Sequence, residues 1–159
     1  MNESSSLIKL IENGGVFSDI QGTTPLEILT NLVKVIKIPD GINRDELLKA
    51  VLERETLMPT AVGKGIALPH PRNPIITNPD DQFIIIGFLK YRIDWKALDG
   101  KPVHSIFLIV SSSAKLHLHT LSRINFFCQE ESFRSLLESR ASKEKIIQVI
   151  EETEIAWGH

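Results

Sequence analysis

Phe83-Ile84-Ile85-Ile86-Gly87-Phe88-Leu89 is the longest uninterrupted apolar run in the chain, and its length and composition decide the fold. It is far short of the ~18 residues that a membrane-spanning helix requires. Rich in Ile and Phe and without polar alternation, it reads as a β-strand covered on both faces. Val103 to Val110 is likewise rich in Ile, Val and Phe and of strand length, and between the two runs Ile93-Asp94-Trp95 and Asp99-Gly100-Lys101-Pro102 suggest a short strand and a turn. Outward from these strands the period becomes helical. Thr24-Pro25-Leu26-Glu27 carries a capping Thr, a Pro suited to the first helical position and a Glu that completes a capping box. Leu26, Leu29, Val33 and Ile36 supply that helix's apolar face, and Pro39 stops it. A second helix opens at Asn43 with Glu46 three residues on, places Leu47, Leu48, Val51 and Leu52 on one face, and should reach Arg54 or Glu55. Residues 59–74 read as loop and short strand. After Val110, Leu118, Leu121, Ile124 and Cys128 form one helical stripe, followed by helices around Phe133 to Ser139 and Lys143 to Glu152. Helices on either side of a strand cluster predict α/β layers with a mixed β-sheet.

The whole chain has 159 residues, a length that suits one domain with a sizeable core. Residues 1–6 read as a flexible tail and 7–159 as the single domain. With 18 Lys+Arg against 20 Asp+Glu and no basic cluster in the sequence, nothing supplies a phosphate-neutralising stripe, and no nucleic-acid partner is expected. The polar start Met1-Asn2-Glu3-Ser4-Ser5-Ser6 is not a secretory signal, so the expectation is a cytoplasmic protein without direct membrane insertion. Cys128, the single cysteine, lies in the apolar run Phe126-Phe127-Cys128 and reads as a buried structural thiol.

The histidines are where chemistry could lie. His159 is terminal and His104 opens a strand, so both read as solvated or structural. His70 lies in Gly63-Lys64-Gly65-Ile66-Ala67-Leu68-Pro69-His70-Pro71-Arg72, where flanking prolines fix its orientation. On spacing alone, a functional and a structural role for it stand side by side. His117 and His119 form a His-x-His pair, but on a helix two positions apart do not share a face, so only one of them can join His70. No Cys pair, His-Glu-x-x-His or carboxylate cluster supplies further ligands, and no metal site is expected.

A histidine with no carboxylate orienter in its own motif, and no Ser or Cys nucleophile nearby in sequence, points to the imidazole as the nucleophile itself. Its unperturbed pKa of ~6.5 leaves one nitrogen free near neutral pH to attack phosphorus. Transfer between two imidazoles relies on positioning and charge stabilisation. Arg54 and the backbone N–H groups of the Gly63/Gly65 loop are the expected donors to the phosphoryl group, with Arg72 as a further positive charge.

Leu52-Glu53-Arg54-Glu55 followed by Thr60-Ala61-Val62-Gly63-Lys64-Gly65-Ile66-Ala67-Leu68-Pro69-His70 resembles the signature of the phosphotransferase-system (PTS) enzyme IIA domains of the fructose/mannitol type. His117-Leu118-His119-Thr120-Leu121-Ser122 resembles that family's second histidine motif, and the similarity is closer to the nitrogen-regulatory branch than to the sugar-specific ones. The resemblance covers about residues 7 to 155. It implies a mixed sheet with helices packed on both faces, a phosphorylated His70, His117 as its neighbour and Arg54 as a holder of the phosphoryl group. It further implies an HPr-like phosphocarrier as donor, no cofactor, and either a regulatory target protein or an enzyme IIB as the next partner. The sequence departs from the pattern at Ala61, where glycine is usual, and at Pro71-Arg72, where glycine and lysine are common; both bear on loop flexibility and transfer rate. The leading expectation is a regulatory phosphoacceptor, with a sugar-specific enzyme IIA as the alternative. An interaction module that has lost turnover is disfavoured by the joint presence of His70, His117 and Arg54.

Overall fold

A computed structural model describes residues 6–156. Helix α1 (Leu7–Gly14) leads into strand β1 (Gly15–Ile20), followed by α2 (Pro25–Val35) and α3 (Arg44–Leu57). Next come the short strands β2 (Ala61–Gly63) and β3 (Ile66–Ala67), the long strands β4 (Phe83–Ile93) and β5 (Val103–Val110), and three closing helices, α4 (Ala114–Gln129), α5 (Glu131–Glu138) and α6 (Lys143–Ala156). The five strands form one mixed sheet in the order β1-β4-β5-β3-β2. The pairs β1/β4 and β3/β5 are parallel, and β4/β5 and β2/β3 are antiparallel.

The two apolar runs are the central strands, and both faces are covered. Alternate β4 side chains enter two separate cores. Phe83, Ile85 and Leu89 pack with α2 and α3 through Ile28, Leu29, Leu32, Leu47 and Val51. Ile84, Ile86 and Phe88 pack with α1, α4, α5 and α6 through Leu10, Ile124, Phe127, Phe133 and Ile146. Fully burying one such side chain contributes about 1.5–3 kcal/mol, so these two layers hold the sheet. Cys128 lies in the second core, where burial pushes its thiol up to about 12.

The helix starts obey the local rules. Thr24 Oγ1 accepts from Glu27 N, and Glu27 Oε1 reaches back to the backbone N–H and hydroxyl of Thr23, one residue earlier than a standard capping box. Asn43 Oδ1 accepts from Glu46 N. Three apolar assignments need correction. Leu26 and Leu118 are exposed, because the buried stripes run instead through Ile28 and Leu32 in α2 and through Thr120 and Phe127 in α4. Ile93 closes β4 and is not a separate strand; a register irregularity lets β4 run from Phe88 to Ile93 while β5 advances only from Ser105 to Val103. Of the expected tail, residues 1–5 lie outside the described residues, while Ser6 caps α1 by accepting from Lys9 N. Helix α1 and strand β1 had no expectation attached to them; Gly14 joins them where a Cβ would sit 2.0 Å from the Ile84 carbonyl oxygen, so only glycine permits this approach. No helix among the described residues is long and apolar enough to cross a membrane.

Candidate active site

Strand β3 continues into Leu68-Pro69-His70, a segment fastened on both sides. Leu68 N donates to the Thr60 carbonyl at 2.9 Å, and Ile109 N donates to the Pro69 carbonyl at 3.0 Å. His70 is thereby delivered to the C-terminal end of β5. Its Nδ1 lies 2.7 Å from the Leu68 carbonyl oxygen. A carbonyl only accepts, so Nδ1 carries the hydrogen and the lone pair resides on Nε2. The orienter absent from the sequence motif is therefore a backbone carbonyl two residues earlier. Burial lowers the ring's proton affinity, the Leu68 hydrogen bond acts against this, the Arg54 charge lowers it further and the Glu55 carboxylate raises it; the net direction is down, towards a neutral imidazole at pH 7.

Ser113 caps α4, its hydroxyl accepting from Leu116 N, and His117 is the fourth residue of that helix. The His70 and His117 ring centroids are 4.4 Å apart, with the planes inclined by 47°. Burial, the His70 ring and Arg54, in that order, push the His117 pKa down to about 4, so this ring is neutral as well. Its Nε2 is buried and has no hydrogen-bond partner among the described residues. An unpaired buried nitrogen costs about 1–3 kcal/mol, a cost that a ligand oxygen beside it would relieve. His119 is exposed while His117 is half-buried, as their spacing on one helix requires.

Arg54, in the last turn of α3, donates from Nη1 to the Met58 carbonyl at 2.7 Å, and its charge acts on both rings. Arg72 is exposed and, with His117, Ser113 and Ala114, lines a cleft of ≈ 220 Å³. The first N–H groups of α4, which lack helical acceptors, border the same cleft and favour an anion there.

The Gly63/Gly65 loop is elsewhere. The Gly65 carbonyl accepts from His104 N and Ser105 N, whereas the Pro69 carbonyl accepts from Ile109 N. Four strand residues separate these contacts, or ~13 Å at ~3.3 Å per residue. Gly63 faces the Asp99 carboxylate and Gly65 faces the His104 ring. Their N–H groups therefore do not reach His70, and the expectation that this loop cradles a phosphoryl group is corrected. Glycine is needed at Gly65 because its φ is +84° and a Cβ would strike the His104 ring at 2.4 Å.

Glu55 is the functional neighbour that residue-by-residue reading passed over. It is 7% exposed, and it accepts from Thr60 N at 2.9 Å, the Thr60 hydroxyl at 2.6 Å and Trp95 Nε1 at 2.9 Å. Thr60 in turn holds Leu68, and Leu68 holds the His70 ring. An acidic residue at the end of a helix, where the macrodipole disfavours it, is the sequence signal that a compensating partner must exist.

Two neutral imidazoles in contact, one with its nucleophilic nitrogen free, beside an arginine and a helix N-terminus, suit attack on phosphorus with charge-stabilised oxygens. The family described as "Phosphoenolpyruvate-dependent sugar phosphotransferase system, EIIA 2" matches residues 9–153. A fructose-specific EIIABC component of Bacillus subtilis is 34% identical over 126 residues, 78% of this chain but 19% of that protein, so this chain spans about a fifth of its length. A nitrogen regulatory protein of Escherichia coli K12 is 30% identical over 135 residues, 81% of this chain and 77% of that protein. The crystal structure of the nitrogen regulatory protein IIA-Ntr from Neisseria meningitidis superposes with a TM-score of 0.73 at 21% identity, covering 89% of this chain and 93% of that one, and so shares the fold. With the match running over nearly all of the chain and both histidine motifs inside it, this chain belongs to the EIIA 2 family of the phosphotransferase system.

Proposed function

We propose that His70 accepts a phosphoryl group from a histidine-phosphorylated HPr-like carrier and that the phosphorylated state regulates a partner protein. The observation that carries this reading is the 2.7 Å contact of His70 Nδ1 with the Leu68 carbonyl, combined with the 4.4 Å approach of the His117 ring. The lone pair on Nε2 attacks phosphorus in line as the donor's N–P bond breaks, and the donor imidazole leaves with that electron pair. Bond formation makes the His70 ring cationic, and the Leu68 carbonyl stabilises the positive Nδ1–H. Arg54 and His117 Nε2 then engage the phosphoryl oxygens, with Arg72 adding charge at the rim. No proton has to leave His70 for the step to proceed.

The phosphoryl group brings nearly two negative charges to a surface whose nearby formal charges are Arg54, Arg72 and the Glu55 carboxylate, so the local potential shifts strongly in the negative direction without refolding the core. A target that docks on that rim then reads the phosphorylation state. The second reading is a sugar-specific enzyme IIA that passes the group to an enzyme IIB, and the similarity to a protein named EIIABC favours it.

Incubation with phosphorylated carrier tests the first step. Wild type should acquire an acid-labile, alkali-stable label and His70→Ala should not; full labelling of His70→Ala removes the proposal. Partner affinity that is identical for wild type, His70→Ala and phosphorylated protein shifts the account to relay.

A further inference from the structure

Lys64, Arg92, Lys101 and Arg134 line a second cleft of ≈ 380 Å³, floored by His104 and Gly65, with Glu138 as its single acidic side chain. Four of the chain's 18 Lys and Arg residues thus meet in one concavity of a protein whose formal charge is −2. The cleft adjoins the Gly65 end of β5, roughly four strand residues from where His70 is held, so it is separate from the histidine pair.

The cations come from different elements: the β2–β3 turn, the end of β4, the loop before β5, and α5. Each arginine is fixed by one bond that leaves the rest of its fork of five donors available. Arg92 Nη2 pairs with Glu138 Oε2 at 2.9 Å, and Arg134 Nη1 donates to the Cys128 carbonyl at 3.0 Å. Lys64 Nζ donates to Gln129 Oε1 at 3.2 Å, from a backbone held at φ 58° by the bond of its N–H to Asp99. The Lys101 side chain makes no hydrogen bond or ion pair among the described residues. The His104 ring is almost wholly buried, with Nδ1 on the Ser105 hydroxyl at 2.7 Å and no hydrogen bond to Nε2 among the described residues.

We propose that this cleft binds a small phosphate-bearing anion. A planar monocarboxylate occupies one guanidinium fork, whereas a tetrahedral phosphate presents three oxygens that donors converging from several directions can share. Asp99, whose carboxylate accepts from Lys64 N and Lys101 N and feels the Lys101 charge, stands next to these cations, so four positive charges against Glu138 and Asp99 leave an excess of two, which an anion of charge −2 matches. A nucleic acid needs an extended basic stripe, and this cluster is compact and concave.

The test is an NMR titration of the full chain with pyrophosphate at constant ionic strength, with citrate as the carboxylate probe and single-stranded RNA as the macromolecular one. Saturable shifts at the Lys64, Lys101, Arg134 and His104 signals, stronger for pyrophosphate than for citrate, are expected. Lys101→Gln and Arg134→Gln should each weaken binding about tenfold, the scale of one lost charge-assisted bond. Lys101→Gln removes a side chain that holds nothing else in place, so a folding defect in Arg134→Gln leaves the outcome decisive. Shifts confined to His70 and His117, equal binding of citrate, insensitivity to both substitutions, or tight binding of RNA instead would each overturn the proposal.

Discussion

Replacing Glu55 tests whether the grip on His70 is built through the core. In Glu55→Ala, Thr60 N and Trp95 Nε1 both lose their acceptor, and both residues are buried, Trp95 completely. Each stranded donor costs about 1–3 kcal/mol, and water entering the vacated space recovers part of it, so a loss of about 3–5 kcal/mol is expected. Glu55→Gln separates charge from geometry. An amide oxygen placed where Oε2 now sits keeps both N–H donors satisfied, and the Thr60 hydroxyl, which donates to Oε1 at 2.6 Å, can turn to accept from the amide nitrogen. Only the charge assistance disappears, at about 1–2 kcal/mol. For a domain of this size each kcal/mol moves Tm by roughly 2–4 °C, so urea and thermal unfolding resolve the two variants. The Glu55 carboxylate also favours the protonated form of His70, so the His70 ring should titrate at lower pH in Glu55→Gln, an effect no purely structural role produces. If Glu55→Ala unfolds within about 0.5 kcal/mol of wild type, or Glu55→Gln is as damaging as Glu55→Ala, the reasoning is refuted.

His117→Ala should still be labelled by phosphorylated carrier but about 10²–10³-fold more slowly, the effect of losing one transition-state donor; quench-flow labelling at an unchanged rate contradicts the assigned role. Both rings of the pair bind protons less readily folded than unfolded, His117 down to about 4 from an ordinary value of 6.5. The unfolded chain therefore binds more protons between those values, and stability should fall as pH drops from about 6.5 to about 4, by about 1–2 kcal/mol after allowing for the ring's partial exposure. Denaturant midpoints that stay flat across that window, or a loss of undiminished size in His117→Phe, count against this. Gly65→Ala forces a side chain at φ +84° into the His104 ring and should cost about 2–4 kcal/mol, while heating curves matching wild type would mean the ring simply moves aside.

What could be read without coordinates was governed by local physics. Caps at Thr24 and Asn43 depend on residues three positions apart, and the helices formed there. Apolar continuity in Phe83–Leu89 demanded cover on both faces, and two cores provide it. His70 stood out because flanking prolines fix a backbone, and His119 was set aside because helical spacing parts it from His117. Family resemblance pointed to His117 as the neighbour of His70, and the two rings lie 4.4 Å apart; it gave Arg54 as a holder of the phosphoryl group, and the Arg54 charge acts on both rings.

Other features arose only from long-range pairing. Strand β1 is six residues long and largely half-exposed, and it is a strand because β4 lies alongside it. Leu26 and Leu118 fit a helical stripe as well as their buried neighbours do; the angle at which each helix meets the sheet decides which residues are covered. Gly63 and Gly65 are close to His70 in sequence, yet an extended chain separates them by several strand residues, and the parallel register of β3 on β5 sends the loop and the histidine to opposite ends of the sheet. Likewise Glu55 meets Trp95 across forty positions of chain, and Lys64, Arg92, Lys101 and Arg134 converge although no two of them are adjacent in sequence. Local patterns determine which segments are helix or strand because those choices rest on neighbours a few residues away; which side chains face one another is set by sheet register and helix docking, and these exist only once the chain has closed on itself.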